Sequence, residues 1–323
     1  MYATREQYRA AWDKASIEDP PVPLCVDLEL ASLCGLRCPM CYWGDSDFQA
    51  GMKSEDFDGG PMKRTMPTEL AIRLIDEAWE LGVPSMKFHG RGDGIHHKHY
   101  NAILQHARYK GGWELLVNTH GNAAWDKIDG LMVADKVMIS LDSARQPTYA
   151  KMRVGGRLGA AIWTVEELLR RGHKNIWVRR VITDINREEN FVEECREIFG
   201  DAVHVSEHFA FNRRNSKRNS ATHYEDESSW EREYCTYPSV RLMCLSNGRV
   251  VPCCVDWKAE MVVGDVNTQS LKEIWNGEKI TALRSELRSG EFKSAICAAC
   301  TSFSAFRRPE KKFVKDVEGT AKL

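Results

Sequence analysis

The sequence has no apolar run approaching the ~20 residues that a helix needs to cross a bilayer. Its first residues, Met1-Tyr-Ala-Thr-Arg-Glu-Gln-Tyr-Arg9, are polar and amphipathic and do not form a secretion signal. Charge imbalance is also missing: 45 Lys and Arg stand against 46 Asp and Glu, a formal net charge of -1. That balance gives no electrostatic case for nucleic acid or an anionic membrane surface as partner. Internal repeats and low-complexity tracts are lacking too. Together these absences predict a cytoplasmic protein with no nucleic-acid and no membrane partner.

What is present is size, a core and thiols. The 323 residues and 43% hydrophobic content suit one large α/β domain plus a smaller one. Eleven cysteines without an export signal argue against a disulfide framework and for metal binding in a reducing compartment.

Three of those thiols fall within Cys34-Gly-Leu-Arg-Cys38-Pro-Met-Cys41, spaced CxxxCxxC. Just before them, Leu24 to Ala31 alternates as a strand does. The cysteines therefore sit on a loop at the C-terminal end of a strand, where α/β proteins usually carry chemistry. Three clustered thiolates suit a soft metal or an iron–sulfur centre. A structural zinc site with a borrowed fourth ligand is the alternative.

Alternating periods continue along the chain. Residues 1–23 read as a polar arm ending in Pro20-Pro-Val-Pro23. The stretch from Trp43 to Met66 is long, polar and Gly-rich, and is either a cap over the site or a disordered loop. A helix from Thr68 carries Leu70, Ala71, Leu74, Ile75 and Ala78 on one side and stops at Gly82. Strands are predicted over Pro84–His89, Trp113–Asn118, Lys136–Leu141, Asn175–Ile182 and Ala202–Phe209. Helices are predicted over Tyr100–Tyr109, near Trp125–Met132, over Ala160–Arg171 and over Arg187–Phe199. Six strands alternating with helices imply a parallel sheet with right-handed crossovers. The predicted division is 24–210 for this core, 211–233 for a charged linker, 234–306 for a small C-terminal domain and 307–323 for a tail.

The CxxxCxxC loop after a first strand resembles that of the radical S-adenosylmethionine (SAM) enzymes. The resemblance runs from roughly Leu24 to Phe306 and implies an open (β/α)6 partial barrel. It implies that Cys34, Cys38 and Cys41 hold a [4Fe-4S] cluster whose fourth iron chelates SAM, with Met40 near the adenine. Arg91-Gly-Asp-Gly94 stands where the family has GGEP, so Gly90, Gly92 and Asp93 become the expected contacts of the SAM amino group. The sequence departs from the motif at three of four positions, and Asp93 is a methylene shorter than Glu. Asn118, in Val117-Asn-Thr-His-Gly121, and Ser140 and Asp142, in Ser140-Leu-Asp142, are similar to the family's later strand-end motifs. Asp142 reads equally well as a helix cap. Alternation lets only one of Arg179 and Arg180 face inward, and Arg179 is assigned to a SAM or substrate carboxylate.

The C-terminal part carries Cys235, Gly248, Cys253 and Cys297-Ala-Ala-Cys300. By number alone these four cysteines fit a structural zinc site. Their spacing resembles the SPASM/twitch extension of radical SAM enzymes, in its shorter form with one auxiliary [4Fe-4S] cluster on Cys235, Cys253, Cys297 and Cys300. Asn247-Gly248 signals a hairpin. Cys25, Cys195 and Cys244 read as core, and Cys254 as a spare ligand. Among His96, His97 and His99, one is a candidate acid/base.

The resemblance implies reductive cleavage of SAM to a 5′-deoxyadenosyl radical that abstracts hydrogen from a substrate C–H bond. The cofactors are then SAM and two [4Fe-4S] clusters, with electrons from a flavodoxin- or ferredoxin-type donor. The expected reaction is oxidation of a small molecule such as an amino sugar or alcohol. Radical modification of a peptide is the alternative, made weaker by the lack of a leader-binding stretch before Leu24. A non-catalytic iron–sulfur or zinc module is the third reading.

Overall fold

Each strand has one apolar and one polar side, and the fold follows from keeping the two apart. The computed structural model describes residues 2, 4–15, 18–44, 64–112, 114–122, 125–209, 235–298 and 300. Strands β1 (Cys25–Leu28), β2 (Ser85–Phe88), β3 (Glu114–Thr119), β4 (Lys136–Ser140), β5 (Ile176–Ile182) and β6 (His204–Phe209) pair in chain order, all parallel. A doubly wound sheet would reverse its strand order midway. This order never reverses, so every crossover turns the same way and the helices collect on one face. The result is the predicted partial barrel.

That face is the core. Val26, Leu28, Phe88, Val117, Val137, Ile139 and Val178 pack against helices α2 (Thr68–Leu81), α3 (Tyr100–Lys110), α4 (Ile128–Met132), α6 (Leu158–Arg170) and α7 (Phe191–Phe199). The α2 stripe of Ala71, Leu74, Ile75 and Ala78 is buried as its spacing requires. Gly82, at φ +83°, ends the helix by donating to Ala78 and Trp79. Cys195 and Cys244 lie in this same core, fully buried.

Three differences from the sequence reading have local causes. Helix α7 starts at Phe191, not Arg187, because the Asn186 side chain captures the preceding turn. Its Oδ1 accepts from Thr183 N at 2.8 Å, and its Nδ2 donates to Asp142 O at 2.8 Å. A short unpredicted helix α5 (Gln146–Met152) precedes α6. The N-terminal arm contains helix α1 (Arg5–Lys14), capped by Thr4. It lies across the N-terminal ends of β2 and β3, where buried Tyr8 bonds Ser85 (3.2 Å) and Glu114 (3.4 Å).

The C-terminal hairpin extends the same sheet. β7 (Arg241–Cys244) runs parallel to β1, with Cys25 opposite Arg241 and Leu28 opposite Cys244. β8 (Arg249–Val251) and β9 (Gly264–Asp265) continue it antiparallel. Gly248 makes the hairpin turn at φ +92°. Helix α8 (Tyr237–Val240) precedes the hairpin, and α9 (Leu271–Trp275), α10 (Glu278–Arg288) and α11 (Ala295–Ala298) follow β9. Buried Trp275 donates to Pro20 O at 3.1 Å and lies under the Arg284 guanidinium at 3.7 Å. The expected linker, the expected tail and most of the Trp43–Met66 stretch lie outside the described residues.

Candidate active site

The root of the cysteine loop is a buried carboxylate that the sequence reading missed. Glu29, just past β1, is fully buried. It receives Arg91 Nε and Nη2 at 2.9 Å each, Arg91 N at 2.8 Å, and Ser246 Oγ and N at 2.8 and 3.1 Å. Burial pushes its pKa up, but Arg91 and these bonds outweigh burial, so the net shift is downward. One side chain thus joins the cysteine loop, the loop after β2 and the β7–β8 turn. It also explains why Arg91 stands where the family has a glycine.

The neighbouring glycines serve the chain itself. A Cβ on Gly90 would meet Glu29 Cγ at 2.4 Å, and one on Gly92 would meet Leu33 O at 2.2 Å. Asp93 N donates to that same Leu33 O at 2.7 Å. The Asp93 carboxylate is committed to its own chain. It accepts from Ile95 N (3.2 Å), Thr119 Oγ1 (2.8 Å) and His120 N (2.8 Å), and His120 Nε2 stands 3.4 Å away.

The three cysteines sit in a shell that suits thiolate ligands. Burial pushes Cys34 up to about 12, helped by the Asp93 charge. Burial pushes Cys38 up to about 11 despite nearby Arg153. Such thiols stay protonated unless a metal takes the proton's place. N–H donors already point at the sulfurs: Leu36 N at 3.4 Å from Cys34, and Arg153 Nη1 at 3.6 Å from Cys38. The donor set fits a cluster. Met40, half-buried, lies in the turn closed by Cys41 N donating to Cys38 O at 3.0 Å. Cys34 and Cys41 pack against Tyr42, Trp43 and Trp257. The rings of Tyr42 and Trp257 are stacked, with centroids 5.0 Å apart and planes 6° from parallel.

The polar face of the sheet forms the concave wall below this loop. Register places Asp27 beside Lys87, and Ser140, Arg179 and Ser206 in one row. Asp27, fully buried, receives Arg241 Nη1 at 3.0 Å and faces His89 Nε2 at 3.3 Å. Burial opposes its ionisation, yet Arg241 and His89 hold its pKa well below the usual carboxylate range. His89 itself is lowered, by burial and then by the Lys87 charge. With its amide oriented to satisfy both neighbours, Asn118 accepts from Lys87 Nζ at 3.3 Å. Arg179 is the inward member of its pair and donates to Ser206 at 3.3 Å. Arg180 faces the opposite way, over the Phe191 ring, and bonds Asn186 O and Glu189 O.

Asp142 is also occupied within the fold. It has φ +67° and no exposure. It accepts from Val181 N at 2.7 Å and pairs with Arg153 Nε at 2.5 Å. It caps no helix: Arg145 precedes α5. Of the histidines, His97 is buried on Met66 O (2.8 Å), and His99 bonds Thr68 Oγ1 (2.9 Å). His96 lies beside His120, with ring centroids 5.7 Å apart.

In the C-terminal group, burial pushes the Cys253 thiol well up, and the neighbouring thiols of Cys254 and Cys235 add to the shift. Backbone N–H groups of Val255 and Asp256 point at Cys253. Cys297 lies on α11, and Cys300 N donates back to its carbonyl at 3.3 Å. Cys254 packs with Met243, Leu245 and Val251.

A partial barrel with three metal-suited thiols at its mouth and a second cysteine group around the hairpin that extends the same sheet defines an iron–sulfur enzyme of the SAM-cleaving kind. The Radical SAM superfamily model matches residues 28–198, more than half of the chain, and the SPASM iron-sulfur cluster-binding domain matches 235–301. The chain belongs to the radical SAM superfamily and carries a C-terminal SPASM-type domain; its cofactors are SAM and [4Fe-4S] clusters. Among solved structures, BtrN in complex with AdoMet and 2-DOIA has a TM-score of 0.59 at 18% identity, covering 89% of this chain and 96% of that one. Streptococcus suis SuiB bound to precursor peptide SuiA has 0.61 at 15%, covering 91% and 73%. Native anSMEcpe with bound AdoMet has 0.61 at 15%, covering 88% and 92%. At these identities the likeness is one of fold. The S-adenosyl-L-methionine-dependent 2-deoxy-scyllo-inosamine dehydrogenase of Niallia circulans is 31% identical over 81 residues, 25% of this chain and 32% of that protein. The match therefore spans about a third of the relative's length. No described helix is long and apolar enough to cross a membrane.

Proposed function

We propose that this enzyme dehydrogenates a small molecule at a carbon bearing a hydroxyl or amine, taking its electrons from a flavodoxin- or ferredoxin-type donor. Cys34, Cys38 and Cys41 would hold the first cluster, and Cys235, Cys253, Cys297 and Cys300 the second. When bound, SAM and the first cluster supply a hydrogen-abstracting radical, and the second cluster an acceptor for the remaining electron. The observation that carries the reading is the contact between the two cysteine segments. Trp257, four residues beyond Cys253, stacks on Tyr42, the residue after Cys41. Glu29 ties the β7–β8 turn to the root of the first loop. An electron acceptor beside the radical source suits an oxidation and has no task in a redox-neutral reaction.

The chain's own residues supply the rest. Gly90 supports SAM's methionine part through its backbone, the Asp93 carboxylate being used elsewhere. Asn118 and Ser140 line the wall it lies against. His89 is the base for the hydroxyl or amine proton. Asp27, facing Nε2, keeps the proton on that nitrogen and leaves Nδ1 as acceptor. Peptide modification differs in substrate alone, and the short match to a small-molecule dehydrogenase favours the first reading. The test assays two products from one reaction. A Cys235→Ala/Cys253→Ala variant that stays folded should still release 5′-deoxyadenosine but form little oxidised product. Normal yields of oxidised product would overturn the reading.

A further inference from the structure

Arg241 joins the C-terminal module to the wall of the barrel. It is the first residue of β7, and its register partner on β1 is Cys25. Its guanidinium lies over the rings of Trp12 on α1 (5.6 Å) and Tyr237 on α8 (4.9 Å). Nη1 donates to Asp27 Oδ2 at 3.0 Å, and Oδ1 is the oxygen that faces His89 Nε2 at 3.3 Å. The N-terminal arm, the first two strands and the C-terminal module thus converge on one buried carboxylate.

His89 is not bonded as the structural histidines of this fold are. His97 and His173 use both ring nitrogens on backbone groups. His89 directs Nε2 at Asp27, and among the described residues no group bonds its Nδ1. The side chain is 13% exposed; Nε2 is buried and the unbonded Nδ1 is not.

A carboxylate against an imidazole tends to charge it. Alone beside His89, Asp27 would favour the imidazolium, whose Nδ1 carries a hydrogen and accepts nothing. Arg241 balances the charge of Asp27 and leaves Oδ1 in place as an acceptor. Asp27 can then fix the ring while the ring stays neutral. Burial, then Lys87 and Arg241, lower the pKa of His89 against the raising effect of Asp27, and the net shift is downward. The other titratable groups around Arg241 are Cys25, Tyr237 and Cys254. Burial pushes Cys25 up to about 12 and Tyr237 well above its ordinary value, so both stay neutral.

We propose that Arg241 is a positioning residue: through Asp27 it holds His89 as the neutral tautomer protonated on Nε2, with Nδ1 open to take the substrate's hydroxyl or amine proton. The inference deepens the dehydrogenation reading and rests on its assignment of His89 as base. Dehydrogenation removes a hydrogen atom, an electron and a proton. The proton goes to His89, and the other two leave to the cofactors as described above. The C-terminal module thereby gains a second task besides carrying the second cysteine group, because without β7 the base would be charged.

The test titrates His89 in the anaerobic holoenzyme, with diethylpyrocarbonate as probe. The reagent carbethoxylates neutral imidazole, and peptide mass spectrometry reads the rate at His89 from roughly pH 5 to 9. Wild type should react with a midpoint below about 6.5, the ordinary histidine value. Arg241→Met should carry the midpoint above about 6.5, because Asp27 then pairs with His89 alone. Arg241→Lys keeps the charge and should stay below it. Asp27→Asn removes the carboxylate and should move the midpoint down from wild type. A merely structural ion pair would loosen in Arg241→Met and Asp27→Asn alike, and both midpoints would drift up toward about 6.5. That common drift overturns the proposal. So does an unchanged midpoint in Arg241→Met, or a His89 that reacts at no pH, which would show that Nδ1 is not open. If Arg241→Met does not fold, Arg241→Lys and Asp27→Asn decide: a midpoint at or above wild type in Asp27→Asn overturns the proposal. The measurement needs no turnover, so its failure and a failure to form oxidised product are separate outcomes.

Discussion

Tyr42 and Trp257 lie face to face, 5.0 Å apart, although one follows the first cysteine group and the other follows a cysteine of the second. The stack is 6° from parallel and largely buried, and Cys34 and Cys41 pack against it. It is the point at which the two cysteine segments are held at a fixed separation. Trp257→Ala should therefore cost about 3–5 kcal/mol in denaturant unfolding. In the surviving folded fraction, the ratio of oxidised product to 5′-deoxyadenosine should fall. Trp257→Phe keeps a stacking ring and should keep most of both. An unchanged ratio in the Ala variant would show that the separation does not depend on this contact.

Asp93 gives a second prediction, one that the GGEP comparison alone would have got differently. Its carboxylate accepts three bonds from Ile95, Thr119 and His120. Asp93→Asn turns an NH2 group toward donors, so stability should drop by about 1–3 kcal/mol. SAM affinity should change only as far as the loop moves. Loss of SAM binding with unaltered urea midpoint would return the carboxylate to the cofactor.

Two buried histidines predict an acid-labile fold. His97 places Nε2 on Met66 O at 2.8 Å and accepts His99 N on Nδ1 at 3.1 Å. His173 repeats the arrangement with Ala134 O at 2.9 Å and Asn175 N at 3.2 Å. Each ring needs a bare Nδ1, and burial lowers the pKa of both. Below the unfolded value of about 6.5, the unfolded chain binds protons that the native state refuses. Stability is therefore full above that pH and lost as pH falls through it. Each His→Gln substitution should remove up to about 1.4 kcal/mol per pH unit from the slope between roughly pH 6.5 and 5. A slope that neither substitution changes would assign the acid lability elsewhere.

Arg153 links the fold to Cys38, a proposed ligand of the first cluster. It pairs with buried Asp142 at 2.5 Å and points Nη1 at Cys38. Arg153→Met should cost about 3–5 kcal/mol by stranding the Asp142 charge. Arg153→Met/Asp142→Leu should recover much of that stability while still lacking the Cys38 donor. Anaerobically isolated wild type should hold about eight irons, and the Cys34/Cys38/Cys41→Ala variant about four. Iron analysis of the double variant then reads the donor's contribution to holding the cluster, separately from stability.

Much of this was legible because period-two alternation survives in strands buried on both faces. Arg179 and Arg180 were separable as an inward and an outward residue on that ground alone. The six strands and the thiol loop after the first were legible in the same way, while their arrangement as a partial barrel came from the family resemblance. Illegible were features that depend on partners far away in the chain. Asp27 in β1 and Glu29 just past it continue one alternation, and a parallel strand has no solvent side. Two carboxylates there had to find buried cations, but nothing local names Arg241 or Arg91. The Asn186 capture that shortens α7 likewise needs the carbonyl of Asp142. The hairpin at Asn247-Gly248 was readable from its turn, but its place against β1 was not.

That place has a consequence for how the chain is made. β1 leaves the ribosome more than two hundred residues before its second neighbour, β7 (241 − 28 = 213). At usual elongation rates of about 5–20 residues per second, the interval is roughly 10–40 s. During it β1 presents an open row of backbone donors and acceptors, with Glu29 still lacking Ser246. The nascent protein is thus exposed to strand-to-strand aggregation until β7 has been made. Slower translation of the C-terminal third should lower the soluble yield more than the same slowing near the start.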